Sequence, residues 1–116
     1  ARWNRGEISV DFVLIGDRPV GRTDPSSPLV QLTTLAFKEL DVEFRGLSIS
    51  STDSNVPMSL GIPAITIDGG GDGGGAHSPD EWFVPTDSHL GPQASWPIIL
   101  GLAGIDGVSS ALLAPR

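Results

Sequence analysis

A glycine-rich tract at residues 69–75 constrains this chain more than any other feature. Six of its seven residues are glycine, and the tract leads through Ala76 directly to His77. Because such a segment has almost no side-chain bulk, its backbone can approach a ligand closely. The tract therefore predicts a ligand-facing loop that carries His77 at its end.

Upstream of the tract, the hydrophobic pattern predicts alternating strands and helices. Residues 8–14 alternate apolar and polar side chains with the period of a half-buried strand, and Ser27 followed by Pro28 predicts the start of a helix that runs to about Leu40. Residues 42–49 and the nearly continuous apolar run at 62–67 predict two further strands. The order strand, helix, strand predicts an α/β fold with a parallel sheet.

Three further helices are predicted around and after the tract. Residues 57–60 are expected to form a short helix closed by Gly61, and Ser78 begins a capping box that predicts a helix start just after His77. The last helix is expected from about Pro92 to Ala103, mostly buried. The proline at position 97 is expected to kink it.

Composition excludes several functions. The net charge is −7 and Lys38 is the single lysine, which argues against a nucleic-acid partner. The longest apolar stretches are too short to span a membrane, so no membrane partner is expected. Without cysteine, a transition metal would need His, Asp or Glu ligands. Absence of cysteine fits a cytoplasmic location, although a secreted protein without cysteine fits equally.

Two polar loops follow predicted strands and are expected to share one edge of the sheet. They are residues 50–55 and residues 69–77, and ligands gather at the carboxyl ends of parallel strands. His77 is therefore a candidate zinc ligand, although a lone loop histidine is more often structural. Asp53 is either a functional acid or a helix cap, and His89 is expected on the surface.

The spacing of these segments resembles a known enzyme family. The resemblance covers residues 51–67 with the motif Ser-Thr-Asp-Ser-Asn, the glycine tract, and residues 76–82. In this order the segments resemble the C-terminal part of the two-zinc metallopeptidase family M-twenty, which holds aminoacylases, glutamate carboxypeptidases and tripeptide peptidases. Residues 15–21 resemble the close of that family's lid domain, which also serves in dimerisation.

The resemblance implies a partial three-layer helix-sheet-helix catalytic domain. Residues 1–22 would end the lid domain with its last strand, and residues 23–116 would form the C-terminal part of the catalytic domain. Two zinc ions and a glutamate base would hydrolyse a peptide or an N-acyl amino acid. His77 matches the family's final metal ligand. The candidate substrate-binding residues are Thr52, Asp53, Asn55, Gly73 and Gly74.

The chain departs from the family pattern in one important respect. It contains neither the His-x-Asp motif nor the Glu-Glu pair that supply the other zinc ligands and the catalytic base. We therefore expect a segment of a larger hydrolase, inactive in isolation, with zinc absent or weakly bound. The parent is expected to be a homodimer, and the isolated segment is expected either to self-associate through exposed apolar faces or to present an unusually large apolar patch. The alternative is a non-catalytic module that binds a ligand or calcium through the glycine loop and its aspartates, Asp68 and Asp72.

Overall fold

A computed structural model describes residues 9–113 as a small mixed fold of helices and one short sheet. In chain order the elements are α1 (Pro28–Glu39), α2 (Asn55–Ser59), β1 (Asp72–Gly74), β2 (Trp82–Val84) and α3 (Leu90–Ala103). Helices α1 and α3 pack against each other, and β1 pairs with β2. The chain therefore combines helix and sheet, in general agreement with the predicted α/β class.

Helix α1 confirms its prediction almost to the residue. Ser27 precedes it in an extended conformation, and its hydroxyl accepts a hydrogen bond from the Val30 amide at 3.4 Å. Pro28 occupies the first turn, where its missing N–H costs nothing. Val30, Thr33 and Ala36 lie at helical spacing and are buried, so this stripe faces α3.

Helix α3 begins two residues earlier than predicted and ends where expected, with Gly104 at φ 79° just beyond it. Gly91, Ala94 and Ile98 are buried and recur every three or four residues, which forms one packed stripe. The expectation that α3 is mostly buried is wrong, because Trp96 is 63% exposed and other apolar side chains of the helix are also uncovered.

The two strands form an antiparallel hairpin where the sequence predicted a loop and a helix start. Gly73 pairs with Phe83, and residues 75–81 form the connection. The helix predicted after Ser78 is wrong, because residues 79–80 form a turn and the chain then continues as strand β2. The three residues between the connection and Pro85 are Trp82, Phe83 and Val84. Because aromatic and β-branched residues favour strands, this segment forms β2 and not a helix.

The three upstream strands predicted from the sequence do not form within the described residues. Residues 9–14, 42–49 and 62–67 have no strand assignment, and Ile8, the first residue of the first predicted strand, lies outside the described range. The prediction of a parallel sheet is therefore wrong for this part of the chain. A strand needs a hydrogen-bonded neighbour, and these segments find none among residues 9–113.

The chain leaves an unusually large surface uncovered. It exposes 9667 Å², against about 6,000 Å² for a compact monomer of its mass. Its radius of gyration is 20.6 Å, whereas a compact domain of this length has about 13 Å. Apolar side chains contribute to the excess, as expected. They include Phe12, Leu14, Ile15, Val20 and Ile49 in segments without regular structure.

Candidate functional site

Four separate segments meet at an open cleft of about 510 Å³. Its lining comprises Arg18 from the irregular segment upstream of α1, the segment Ser51 to Asp53 before α2, Thr66, and His77. The two loops that the sequence placed at one sheet edge are thus neighbours, although residues 9–113 form no parallel sheet to hold them. Thr52, Asp53 and His77 were predicted as site residues and line the cleft together.

His77 has a backbone conformation that few histidines adopt. Its φ is 65°, in the left-handed region, which costs a residue with a Cβ roughly 1–2 kcal/mol. The turn around it imposes this conformation: Gly75 is also left-handed, and its carbonyl accepts hydrogen bonds from both the amide and the hydroxyl of Ser78. Because strained backbone is often found at functional sites, the left-handed conformation motivates the hypothesis that His77 has a function.

The side chain of Asn55 links the start of α2 to the irregular segment that carries Arg18. Its amide nitrogen donates to the Pro19 carbonyl at 3.1 Å, and its oxygen accepts from the Thr52 amide at 2.9 Å. Both ends of the side-chain amide therefore have partners within the protein. Asn55 was predicted as a substrate-binding residue. It lies outside the cleft lining, and its contacts hold the Thr52 backbone and the segment that carries Arg18.

Asp53 and Arg18 place opposite charges on the cleft wall. The carboxylate lies 3.4 Å from the guanidinium, with Asp53 fully exposed and Arg18 about half exposed. Such a pair contributes little stability in water and can open to receive a ligand. The Asp53 side chain does not cap α2, since Ser54 occupies the cap position and makes no side-chain capping bond.

Gly73 and Gly74, also predicted to bind substrate, lie in β1 and outside the cleft lining. A Cβ on Gly74 would come within 2.8 Å of the Trp82 indole nitrogen, and one on Gly71 within 2.6 Å of the Phe83 ring. The glycines thus allow the aromatic rings of β2 to lie directly on the tract. The sequence predicted that a ligand would approach the backbone of the glycine tract closely. In the structure, the aromatic side chains of β2 make this close approach.

The donor set of the described residues is too small for a zinc pair. Within residues 9–113, no group of three or more His, Asp or Glu side chains is placed to hold a metal ion. His77 and Asp53 are the cleft residues with metal-binding chemistry. His89 and Glu81 are exposed and outside the cleft lining, and Asp68 and Asp72 each accept a hydrogen bond from a nearby backbone amide.

Sequence reasoning missed Arg18, Ser51 and Thr66. The polar Thr66 inside an apolar run was the available signal for a side chain turned towards the cleft. Its segment is anchored by Thr23, whose hydroxyl donates to the Ala64 carbonyl and accepts from the Ala64 amide. Arg18 carried no such signal, because its place depends on the contact between Pro19 and Asn55.

Comparison with known proteins adds no assignment, since no protein-family model and no curated protein sequence matches the chain. Among residues 9–113, no helix is long and apolar enough to cross a membrane. A functional interpretation therefore depends on the motif order in the sequence and on the residues that the cleft brings together.

Proposed function

We propose that this chain is the C-terminal segment of a two-zinc amide or peptide hydrolase, to which it contributes His77 as one metal ligand. The observation that carries the proposal is the shared cleft of His77, Thr52 and Asp53. Twenty-odd residues separate His77 from the other two in sequence, and the motif order by itself led to all three. Their convergence is what a metal and substrate site at this position requires.

The left-handed backbone of His77 supports a role as a ligand. A metal ligand needs its ring held in one direction, and a fixed backbone at His77 favours this. The hydrogen bonds from Ser78 to the Gly75 carbonyl fix the turn without using the imidazole. Among residues 9–113, no hydrogen bond to the ring nitrogens of His77 is formed, so the ring is available to a partner.

The excess surface supports a role as part of a larger domain. The chain exposes 9667 Å², which is roughly 3,600 Å² more than the surface expected for a compact monomer of its mass. Apolar segments without strand partners account for part of this excess. Strands supplied from elsewhere in the parent would cover them and would bring the zinc ligands and the base that this chain lacks.

The described residues alone do not fit a zinc pair, so we derive no hydrolytic step within this chain. When bound, the metals would activate water and polarise the scissile carbonyl. What the chain itself offers is a surface for the substrate: the Arg18 guanidinium suits the carboxylate of a peptide or N-acyl amino acid, and Thr52 offers a hydroxyl. The cleft therefore suits a small substrate with a free carboxylate.

The experiment is a paired histidine substitution in the complete gene product. We expect His77→Asn to lower the bound zinc and the hydrolysis of N-acyl amino acid and dipeptide substrates by at least tenfold. His89→Asn is the matched control, because His89 is exposed and lies outside the cleft. Equal zinc content and activity in the two variants would refute the proposal and favour a non-catalytic module.

A further inference from the structure

Three hydroxyl groups beside the cleft form a directed chain of hydrogen bonds. Thr66 Oγ1 donates to Thr52 Oγ1 at 2.9 Å, and Ser54 Oγ lies 2.7 Å from Thr66 Oγ1. Each hydroxyl has one proton to donate. Since the Thr66 proton is directed to Thr52, the bond between Ser54 and Thr66 must use the Ser54 proton. The direction of the chain is therefore Ser54 to Thr66 to Thr52.

This direction leaves the proton of the last hydroxyl unused. Within the described part of the chain, Thr52 Oγ1 donates to no protein acceptor, although it accepts from Thr66. The Thr52 backbone is held separately, by the bond from its amide to the Asn55 side chain. Thr52 lines the cleft beside Asp53 and His77, so its free proton is available to a ligand there.

We propose that Ser54 and Thr66 are positioning residues that make Thr52 a fixed, polarised hydrogen-bond donor to an acceptor oxygen of the ligand. Each donor in a hydrogen-bonded chain polarises the next, which strengthens the final donation. The ligand atom at this point of the cleft is thus a carbonyl or carboxylate oxygen and not a donor group. In identifying that ligand as the substrate, the inference rests on the function proposed above.

The test uses Thr→Val substitutions, which remove a hydroxyl with little change in shape, in the complete gene product. Thr66→Val is expected to lower kcat/KM about five- to tenfold, as is usual for one lost hydrogen bond, and Thr66→Ser to restore most of it. Adding Thr66→Val to Thr52→Val should have no further effect, because Thr66 acts through Thr52. Thr34→Val is the matched control, since that hydroxyl bonds to the Val30 carbonyl within α1.

The outcomes separate this inference from the proposed function. An active zinc enzyme whose kcat/KM is unchanged by Thr66→Val, or additively lowered in the double variant, would overturn the hydroxyl relay and leave the proposed function intact. If the complete protein neither binds zinc nor hydrolyses amides, acetate binding followed by NMR replaces the kinetic readout. Acetate affinity that falls in both Thr66→Val and Thr52→Val supports the relay. Unchanged affinity, or no acetate binding by the wild type, overturns it.

Discussion

The substitution Gly91→Ala tests how α3 holds the glycine tract. Gly91 is buried in the first turn of α3, and a Cβ placed there would overlap the carbonyl group of Gly69, the first residue of the tract. The obstructing atoms belong to the backbone, so no side-chain rotation can relieve the overlap. An alanine must therefore push the helix and the tract apart, which also disturbs the hairpin that carries His77.

Two opposing terms set the expected size of the effect. Replacing glycine by alanine in a helix stabilises by about 0.5–1 kcal/mol, whereas overpacking a well-filled contact costs about 1–3 kcal/mol. The net expectation is a loss of roughly 0.5–2 kcal/mol in the free energy of unfolding. Gly101→Ala in the same helix is the control, because its Cβ would meet only the end of the Leu32 side chain, at 3.0 Å.

The assay is denaturant unfolding of the chain and of both variants, followed by tryptophan fluorescence. Gly101→Ala is expected to be neutral or to stabilise by up to about 1 kcal/mol, since the leucine can rotate away. Gly91→Ala is expected to unfold at lower denaturant concentration than the wild type. If Gly91→Ala were as stable as Gly101→Ala, the close contact between α3 and the tract would be refuted.

Three other consequences can be measured directly. Ser27→Ala should lower the free energy of unfolding by about 0.5 kcal/mol, at the low end for a lost helix cap because the capping bond is long, and an unchanged midpoint would contradict it. The Ser26 hydroxyl and amide hold the pKa of Asp24 below its usual value, so Ser26→Ala should raise that pKa in a carboxyl NMR titration. Because the folded pKa is lowered, the Asp24 contribution to stability is present above the unfolded pKa and is lost as the pH falls through the folded pKa. The isolated chain should self-associate through its apolar surface in sedimentation velocity, and a monomer at all concentrations would contradict this.

The sequence predicted the two long helices, α1 and α3, because residues next to their ends mark where they begin or stop. Helix α1 begins at a serine followed by proline, and α3 ends at Gly104, so each has a signal within a few residues of its end. The apolar run at residues 62–67 also had the composition of a strand. A strand, however, depends on a partner distant in sequence, and the described residues offer none.

The sequence also predicted part of the candidate site. The motif order identified Thr52, Asp53 and His77, which the cleft brings together. Gly73 and Gly74 were expected to face a ligand, but the rings of β2 occupy the space beside the tract, an arrangement that depends on the hairpin register. The place of Arg18 in the cleft follows from contacts between segments far apart in sequence, for which composition gives no signal.

The central claim is that the imidazole of His77 binds zinc, and anomalous scattering at the zinc edge from crystals of the complete gene product tests it most directly. We expect a zinc peak about 2.0–2.1 Å from a His77 ring nitrogen, in the cleft that Thr52 and Asp53 also line. Zinc bound only at other residues, with the His77 ring turned to solvent, would refute His77 as a ligand.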